Sequence, residues 1–258
     1  MERSTGPFLS RLAAAIRRRR SYYFVRKPFQ WPGLKPHISF TFDDFPRSAF
    51  LTGGAILEKH GIRGTYYASL GFLGKTQPAG DMFTLEDLHE AISRGHEIGC
   101  HTFDHMNAWF TGAAAFERSV MLNQEAMRTH FPDYRMRTLS YPFCEPHPRN
   151  KRIAGKYYRC SRGGGQAINV GQIDLNLLRS CFIDYRTRDD MDYFRRLIEE
   201  NSRRNGWLIL DGHDIGSDPT PHGCIPQRFE EIVECAVASS AVIKPVCEVY
   251  DTLGIAEA

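Results

Sequence analysis

The run His37-Ile38-Ser39-Phe40-Thr41-Phe42-Asp43-Asp44 constrains the fold of this chain more than any other stretch. Ile38, Phe40 and Phe42 alternate with small polar residues, which is the pattern of a buried strand. The strand ends in two adjacent carboxylates, and like charges at one strand tip repel unless a cation or a proton resolves them. A strand end opening onto a polar site, with a metal beside a general base, is one arrangement that meets this requirement. A turn or a helix N-cap is the other.

Strand-like and helix-like segments alternate along the remainder. Residues 50–60 read as a helix and 64–68 as a β-rich run. Residues 85–94 are helical with apolar positions 85, 88 and 92, stopped by Gly95 in the manner of a C-cap. A short strand over 97–101 follows, then a long helix over 112–130 and a strand over 138–143 closing on Pro142. Gly163-Gly164-Gly165 reads as a flexible loop that lacks the spacing of a phosphate-binding fingerprint. Further strands fall at 177–183 and 207–210, helices at 190–205 and 226–238, and an extended segment at 242–249. Regular alternation of this kind predicts an α/β domain with a mainly parallel sheet; periodicity does not decide whether the sheet is open or closed.

Length and composition narrow the class. The 258 residues, 42% hydrophobic and 24% charged, suit one large soluble α/β domain or two small ones. No stretch approaches the ~18 consecutive apolar residues of a membrane span. The seven cysteines are scattered without a C-x-x-C pair, which points to a reducing compartment. With no apolar secretory core near the N-terminus, the expected location is the cytoplasm, peripheral to the inner membrane face.

The net charge of +3 conceals an asymmetry. Residues 1–36 hold nine Lys or Arg and one acidic residue, Glu2, so this arm carries +8 and the rest −5. Arg17 to Arg20 follow Phe8, Leu9, Leu12 and Ile16 at roughly helical spacing. An arm lying on an anionic membrane through residues 1–30 and a solvated extension are the two readings in balance, with a mitochondrial targeting arm also of this composition. No nucleic-acid-binding module accompanies the arm, and no nucleic acid is expected. Pro28, Pro32, Gly33 and Pro36 mark the passage from arm to domain, giving a boundary of 1–36 and 37–258.

Three further segments place chemistry at strand ends. In Gly99-Cys100-His101-Thr102-Phe103-Asp104-His105 two histidines stand four apart, a spacing at which imidazoles converge on one side of a helical turn and ligate a divalent metal. In Gly206-Trp207-Leu208-Ile209-Leu210-Asp211-Gly212-His213-Asp214 an apolar strand delivers His213 at its C-terminal end, the edge where α/β active sites gather. In Leu139-Ser140-Tyr141-Pro142-Phe143 the proline stiffens a strand end that holds an aromatic and a backbone N–H.

Taken in order, these segments resemble the NodB-homology polysaccharide deacetylases, carbohydrate esterase family 4, over most of residues 37–250. The resemblance implies a distorted (β/α)₇ barrel and one divalent metal, zinc first and cobalt or manganese next. Carried over by position, it implies Asp43 as general base, Asp44, His101 and His105 as metal ligands, and His213 as general acid. Tyr141, Pro142 and Phe143 would line the substrate and oxyanion site. It implies removal of N-acetyl groups from an acetamido sugar of a polysaccharide or lipid-linked glycan by a water that the metal activates. Two departures stand out: Ser140 occupies the place where the family commonly has a base-orienting arginine, and Cys144 the place of a common glycine. Arg179 is the expected replacement for that arginine, and Asp184 the expected partner of the catalytic histidine. Hydrolysis of another amide, deformylation for example, and a non-catalytic glycan-binding barrel are the alternatives.

Overall fold

Seven parallel strands close on themselves in the computed structural model, which describes residues 7–255, with side chains from residue 14 onward. The strands are β1 (His37–Phe42), β2 (Thr65–Ala68), β3 (Glu97–Cys100), β4 (Thr138–Ser140), β5 (Cys160–Gly165), β6 (Leu178–Phe182) and β7 (Trp207–Gly212). Each pairs with its sequence neighbour, and β7 returns to β1 in register from Trp207↔His37 to Gly212↔Phe42. A closed sheet has no edge to protect. Outside it lie α2 (Ala55–Lys59), α3 (Leu85–Ser93), α4 (Ala113–His130), α5 (Pro148–Tyr157), α6 (Met191–Arg204), α7 (Pro226–Val237) and α8 (Val246–Asp251). The result is a single distorted (β/α)₇ barrel, as the resemblance implies.

Strand period decides which residues reach the site. On β1 the apolar set faces outward: Phe40 and Phe42 meet Phe229 of α7 at ring-centroid distances of 5.9 and 5.6 Å. The alternate set, Ser39, Thr41 and Asp43, is therefore turned into the barrel interior. There Ser39 accepts from the Trp207 indole at 3.0 Å, and the Thr41 hydroxyl donates to the Leu210 carbonyl at 2.9 Å. At the N-terminal end of the barrel Trp31 stacks on Trp207 at 5.7 Å, packed with Cys160, Leu178 and Val246. That apolar plug leaves the C-terminal end as the open one.

Three segments differ from the sequence-based expectation. Gly163, Gly164 and Gly165 belong to β5 and are not a loop. The glycines answer to packing: a Cβ on Gly163 would lie 2.2 Å from the Cys144 carbonyl oxygen, and one on Gly164 2.6 Å from the Phe182 ring. Of the extended stretch expected over 242–249, only Val242–Ile243 is strand, pairing with the start of β1, and Pro245 then opens α8. The strand expected over 138–143 stops at Ser140, ahead of the buried Pro142.

The first 36 residues contain a helix, α1 (Pro7–Tyr23), laid against the barrel. Arg18 donates to Glu145 at 3.0 Å, the Ser21 hydroxyl to the Pro146 carbonyl at 2.6 Å, and the Tyr22 hydroxyl to the Gly164 carbonyl. Fully buried Lys151 donates to the carbonyls of Ser21 and Phe24, both at 2.8 Å, while paired with Asp174 at 2.6 Å. Glu2 lies outside the described residues, and the side chains of Phe8, Leu9 and Leu12 lie outside those described.

Candidate active site

The loops that follow β1, β3, β4 and β5 hold seven of the eight non-glycine residues with positive φ among the described residues. Asp44 (φ 61°) and Phe45 (55°) follow β1, Thr102 (59°) and His105 (49°) follow β3, Phe143 (61°) and Cys144 (65°) follow β4, and Gln166 (49°) follows β5. Left-handed backbone costs free energy for residues with a Cβ, most for a β-branched one such as Thr102. Strain gathered at one barrel edge marks the place where loop geometry serves side-chain placement.

The turn after β1 sends its two carboxylates in different directions. Asp43 continues the inward register of the strand, whereas left-handed Asp44 turns its carboxylate toward the β3 loop. There Asp44 Oδ1 lies 3.6 Å from His101 Nε2 and 3.3 Å from His105 Nε2. One ligand atom from each of the three falls within 4.8 Å of the others. The sequence expectation of a helical turn for the histidine pair is corrected: residues 101–107 form a loop, and it is two left-handed residues that fold His105 back over His101. Ser119 of α4 pins that loop, accepting from the N–H groups of Phe103 and Asp104 at 3.0 and 3.2 Å.

These three residues fit a divalent cation. His101 Nδ1 is 2.9 Å from the Ser140 carbonyl, so it carries the proton and presents a bare Nε2 lone pair to the cluster. Burial, followed by the neighbouring His101, lowers the pKa of His105 to about 4, which leaves it a neutral imidazole at pH 7. Asp44 Oδ1 is buried without a hydrogen-bond partner. Acceptor lone pairs aimed at one another repel, and a buried acceptor left unmatched is costly. A cation resolves both problems, and two nitrogens with one carboxylate oxygen are a donor set suited to zinc.

Asp43 sits beside this cluster and is 4% exposed. Its carboxylate accepts from Arg162 Nη2 at 2.5 Å and from the Ser140 hydroxyl at 3.2 Å. Burial favours the neutral acid. Arg162, then His101, His213 and the Ser140 hydroxyl, more than offset it and hold the group below the usual carboxylate range. Arg162 is fully buried, its guanidinium 4.8 Å from the Tyr67 ring centroid, and it also grips Asp211 through two bonds of 3.0 and 2.8 Å. Burial, against the opposing Arg162 and reinforced by Asp43, pushes Asp211 up to about 7. Strand β5 is not a neighbour of β1 or β7, so this guanidinium spans the barrel interior.

Arg162 is the functional candidate that sequence reasoning missed. The guanidinium at Asp43 comes from β5, and Arg179 is not involved: it is exposed, with its guanidinium over the Tyr22 ring at 4.4 Å. Asp184 is not seen bonded to His213; its carboxylate receives Arg186 at 2.9 Å. Asp211, two residues before His213, is the carboxylate that shares the Asp43 guanidinium. A signal for Arg162 was present in Cys160-Ser161-Arg162, but the glycines beyond it read as loop.

The remaining expected residues separate by exposure. The Tyr141 side chain is fully buried, its hydroxyl donating to the Asn176 carbonyl at 2.9 Å, so the ring does not line the site. Pro142 is buried as well. Phe143 is 59% exposed and its ring centroid is 4.9 Å from that of His105. The Cys144 and Glu145 N–H groups close the turn on Tyr141 and Phe143 carbonyls at 2.9 and 2.8 Å. His213 stands half-buried at the end of β7, 5.3 Å from the His222 ring, on a loop that Asp214 organises by accepting from the Thr220 N–H at 2.7 Å.

Comparison with known proteins falls on the segment that carries most of this site. The polysaccharide deacetylase family model matches residues 32–157, the segment bearing Asp43, Asp44, His101, His105 and the Tyr141–Phe143 turn. A chitooligosaccharide deacetylase of Sinorhizobium fredii is 26% identical over 109 residues, 42% of this chain and 47% of that protein, so the match spans less than half of that relative. Among solved structures, the carbohydrate esterase domain of a multidomain xylanase from the hindgut metagenome of Trinervitermes trinervoides superposes with a TM-score of 0.58 at 16% identity. That superposition covers 86% of this chain and 93% of the other. A Bacillus anthracis pseudoenzyme also superposes, at 0.59 and 10% identity, covering 86% and 68%. The same barrel is thus shared with a protein described as a pseudoenzyme, and activity has to be argued from the site. The match over residues 32–157 falls on the segment that supplies the acidic pair and both histidines, and it is to the polysaccharide deacetylases that this part of the chain is similar.

Proposed function

We propose that this protein is a metal-dependent hydrolase that removes N-acetyl groups from an acetamido sugar of a polysaccharide or lipid-linked glycan. The observation that carries the reading is the convergence of Asp44, His101 and His105 around a buried, unpartnered carboxylate oxygen, with the ionised Asp43 beside it. A divalent ion held by those three residues supplies Lewis acidity toward a water and toward the acetamide carbonyl. Asp43, kept ionised by Arg162, takes the proton of the attacking water. In this reading the backbone N–H of Phe143, whose ring lies 4.9 Å from that of His105, donates to the developing oxyanion. His213 gives its proton to the departing amine, so that acetate and a free amino sugar leave. Zinc suits the donor set best; cobalt and manganese share it.

Two measurements test the reading. Elemental mass spectrometry of the purified protein is expected to find about one zinc, cobalt or manganese per chain, lost in His105→Ala. Incubation of the loaded protein with acetylated chitooligosaccharides is expected to release acetate, which an enzymatic acetate assay detects. Protein that stays metal-free after incubation with all three ions refutes the hydrolase mechanism, and release of formate from formylated sugars alone moves the reading to another acyl group.

A further inference from the structure

We propose that the outer face of α1 is a docking surface for an anionic phospholipid bilayer, set beside the mouth of the barrel. Helix α1 has two faces of different character. The inner one is committed to protein through Ser21, Tyr22 and Arg18, as described above, with Arg17 3.8 Å from Glu145 and over the Phe110 ring at 5.2 Å. Residues 15, 16, 19, 20 and 23 fall within one arc of about 140° at 3.6 residues per turn, on the other side. There Ile16 is 51% and Tyr23 80% exposed, and Arg19 and Arg20 are exposed with no ion pair among the described residues. Apolar side chains interleaved with arginines on one outward helix face fit the headgroup boundary of a bilayer.

The position of the helix gives the surface a role. Glu145 and Pro146, which hold α1, directly follow Phe143 and Cys144, and Gly164, which accepts from Tyr22, lies near the open end of β5. Exposed aromatics stand on the loops of the same edge: Phe110 at 70%, Phe143 at 59% and Tyr185 at 60%. Aromatic side chains are favoured at a bilayer interface. Among the described residues no helix is long and apolar enough to cross a membrane, and the contact proposed is a peripheral one. A bilayer on this face presents its headgroups to the mouth of the barrel, which under the proposed function favours an acetamido sugar carried on a lipid.

Charge complementarity singles out the partner. Residues 1–36 carry +8, and each arginine near an anionic surface contributes about 1 kcal/mol at physiological salt. The test is co-sedimentation of the full chain with phosphatidylcholine vesicles, with and without phosphatidylglycerol, which requires no knowledge of the glycan. The full chain is expected to sediment with phosphatidylglycerol vesicles, to stay soluble with phosphatidylcholine alone, and to release as salt rises. Arg19→Gln/Arg20→Gln, which leaves the Glu145 contacts in place, is expected to bind about 30-fold more weakly with an unchanged melting temperature. Equal binding to both vesicle types, no binding at low salt, or full binding by the double variant each overturns the proposal. Tighter binding to a single-stranded oligonucleotide than to the anionic vesicles also overturns it, by making the arm a nucleic-acid contact. None of these outcomes bears on acetate release, so failure here leaves the proposed activity standing.

Discussion

The two ends of the barrel interior each bury a carboxylate, and they treat it in opposite ways. At the open end Asp43 meets a guanidinium, a hydroxyl and the field of two histidines, and stays ionised. At the closed end Glu97 is as deeply buried but, among the described residues, has no cation bonded to it. It accepts from the hydroxyls of Thr138 and Thr65, the latter at 2.8 Å, and from the Cys247 N–H at 2.9 Å. Burial outweighs those bonds, and its pKa rises. Neutral donors suffice to pin a carboxyl group between β2, β3, β4 and α8, whereas a base that has to take a proton at neutral pH needs a fixed positive charge. Under the proposed function one carboxylate serves the chemistry, while the other pins the architecture.

The largest effect is expected where that positive charge is removed. Arg162→Met leaves Asp43 and Asp211 buried together without their shared counter-ion. Breaking a buried charge network in this way costs about 3–5 kcal/mol, readable as a lowered urea midpoint, together with loss of acetate release. A stability within about 1 kcal/mol of the parent would mean that the guanidinium contributes nothing net and that the contrast between the two ends is wrong. Asp43→Asn is the narrower cut, since Arg162 keeps Asp211. Acetate release is expected to fall by about 10²–10⁴ while the metal content stays near one ion per chain. Retention of about a tenth of the activity would assign the base elsewhere.

How far the sequence disclosed this arrangement depends on what each residue owes to its own strand. Asp43, Asp44, His101, His105 and His213 all lie at or just past the ends of strands marked by apolar periodicity, so their shared edge was legible. Arg162 was not, because its strand is disguised: glycines at 163 and 164 are demanded by the Cys144 backbone and the Phe182 ring, contacts distant in sequence. The expectation that Arg179 would replace it failed for a related reason. Both arginines lie on strands, but the residue pattern alone did not say which one faces the interior. Tyr141 was misplaced because a proline-stiffened turn fixes the backbone without fixing where the ring goes, and Asn176 takes its hydroxyl into the core. The docking of α1 rests on Glu145, Lys151 and Gly164, more than a hundred residues away, which no local pattern encodes.

A smaller effect, with a pH signature, is expected at the closed end. Glu97 titrates higher in the folded chain than in the unfolded one, where it lies near the reference value of ~4.3. Its ionisation therefore removes stability as pH rises from the unfolded value through the folded one, and the loss levels off above both. Glu97→Gln abolishes that slope. Near the acid end the variant is expected to be less stable by about 1 kcal/mol, for imperfect hydrogen bonds with Thr65 and Thr138, and the gap narrows or reverses toward neutral pH. Urea denaturation across the range reads this directly, and acetate release should be unaffected. A gap that widens with pH would show that Glu97 is ionised in the fold and would erase the contrast with Asp43.

The smallest effect is expected at Ser140, where the two networks of the open end join. Its hydroxyl donates to Asp43 at 3.2 Å, while its carbonyl orients His101 at 2.9 Å. Ser140→Ala removes only the first bond, because the carbonyl belongs to the backbone. A neutral hydrogen bond of this kind contributes about 1 kcal/mol, so kcat/KM should fall by about fivefold with the metal retained and with little change in stability. The comparison with Arg162→Met then separates the two supports of the base. If losing the hydroxyl costs as much activity as losing the guanidinium, orientation of Asp43 governs the reaction and its charge environment is secondary. If the hydroxyl matters little while the guanidinium matters greatly, the base depends on charge delivered from β5, which lets a serine stand on β4 where the deacetylases that the chain resembles commonly have an arginine.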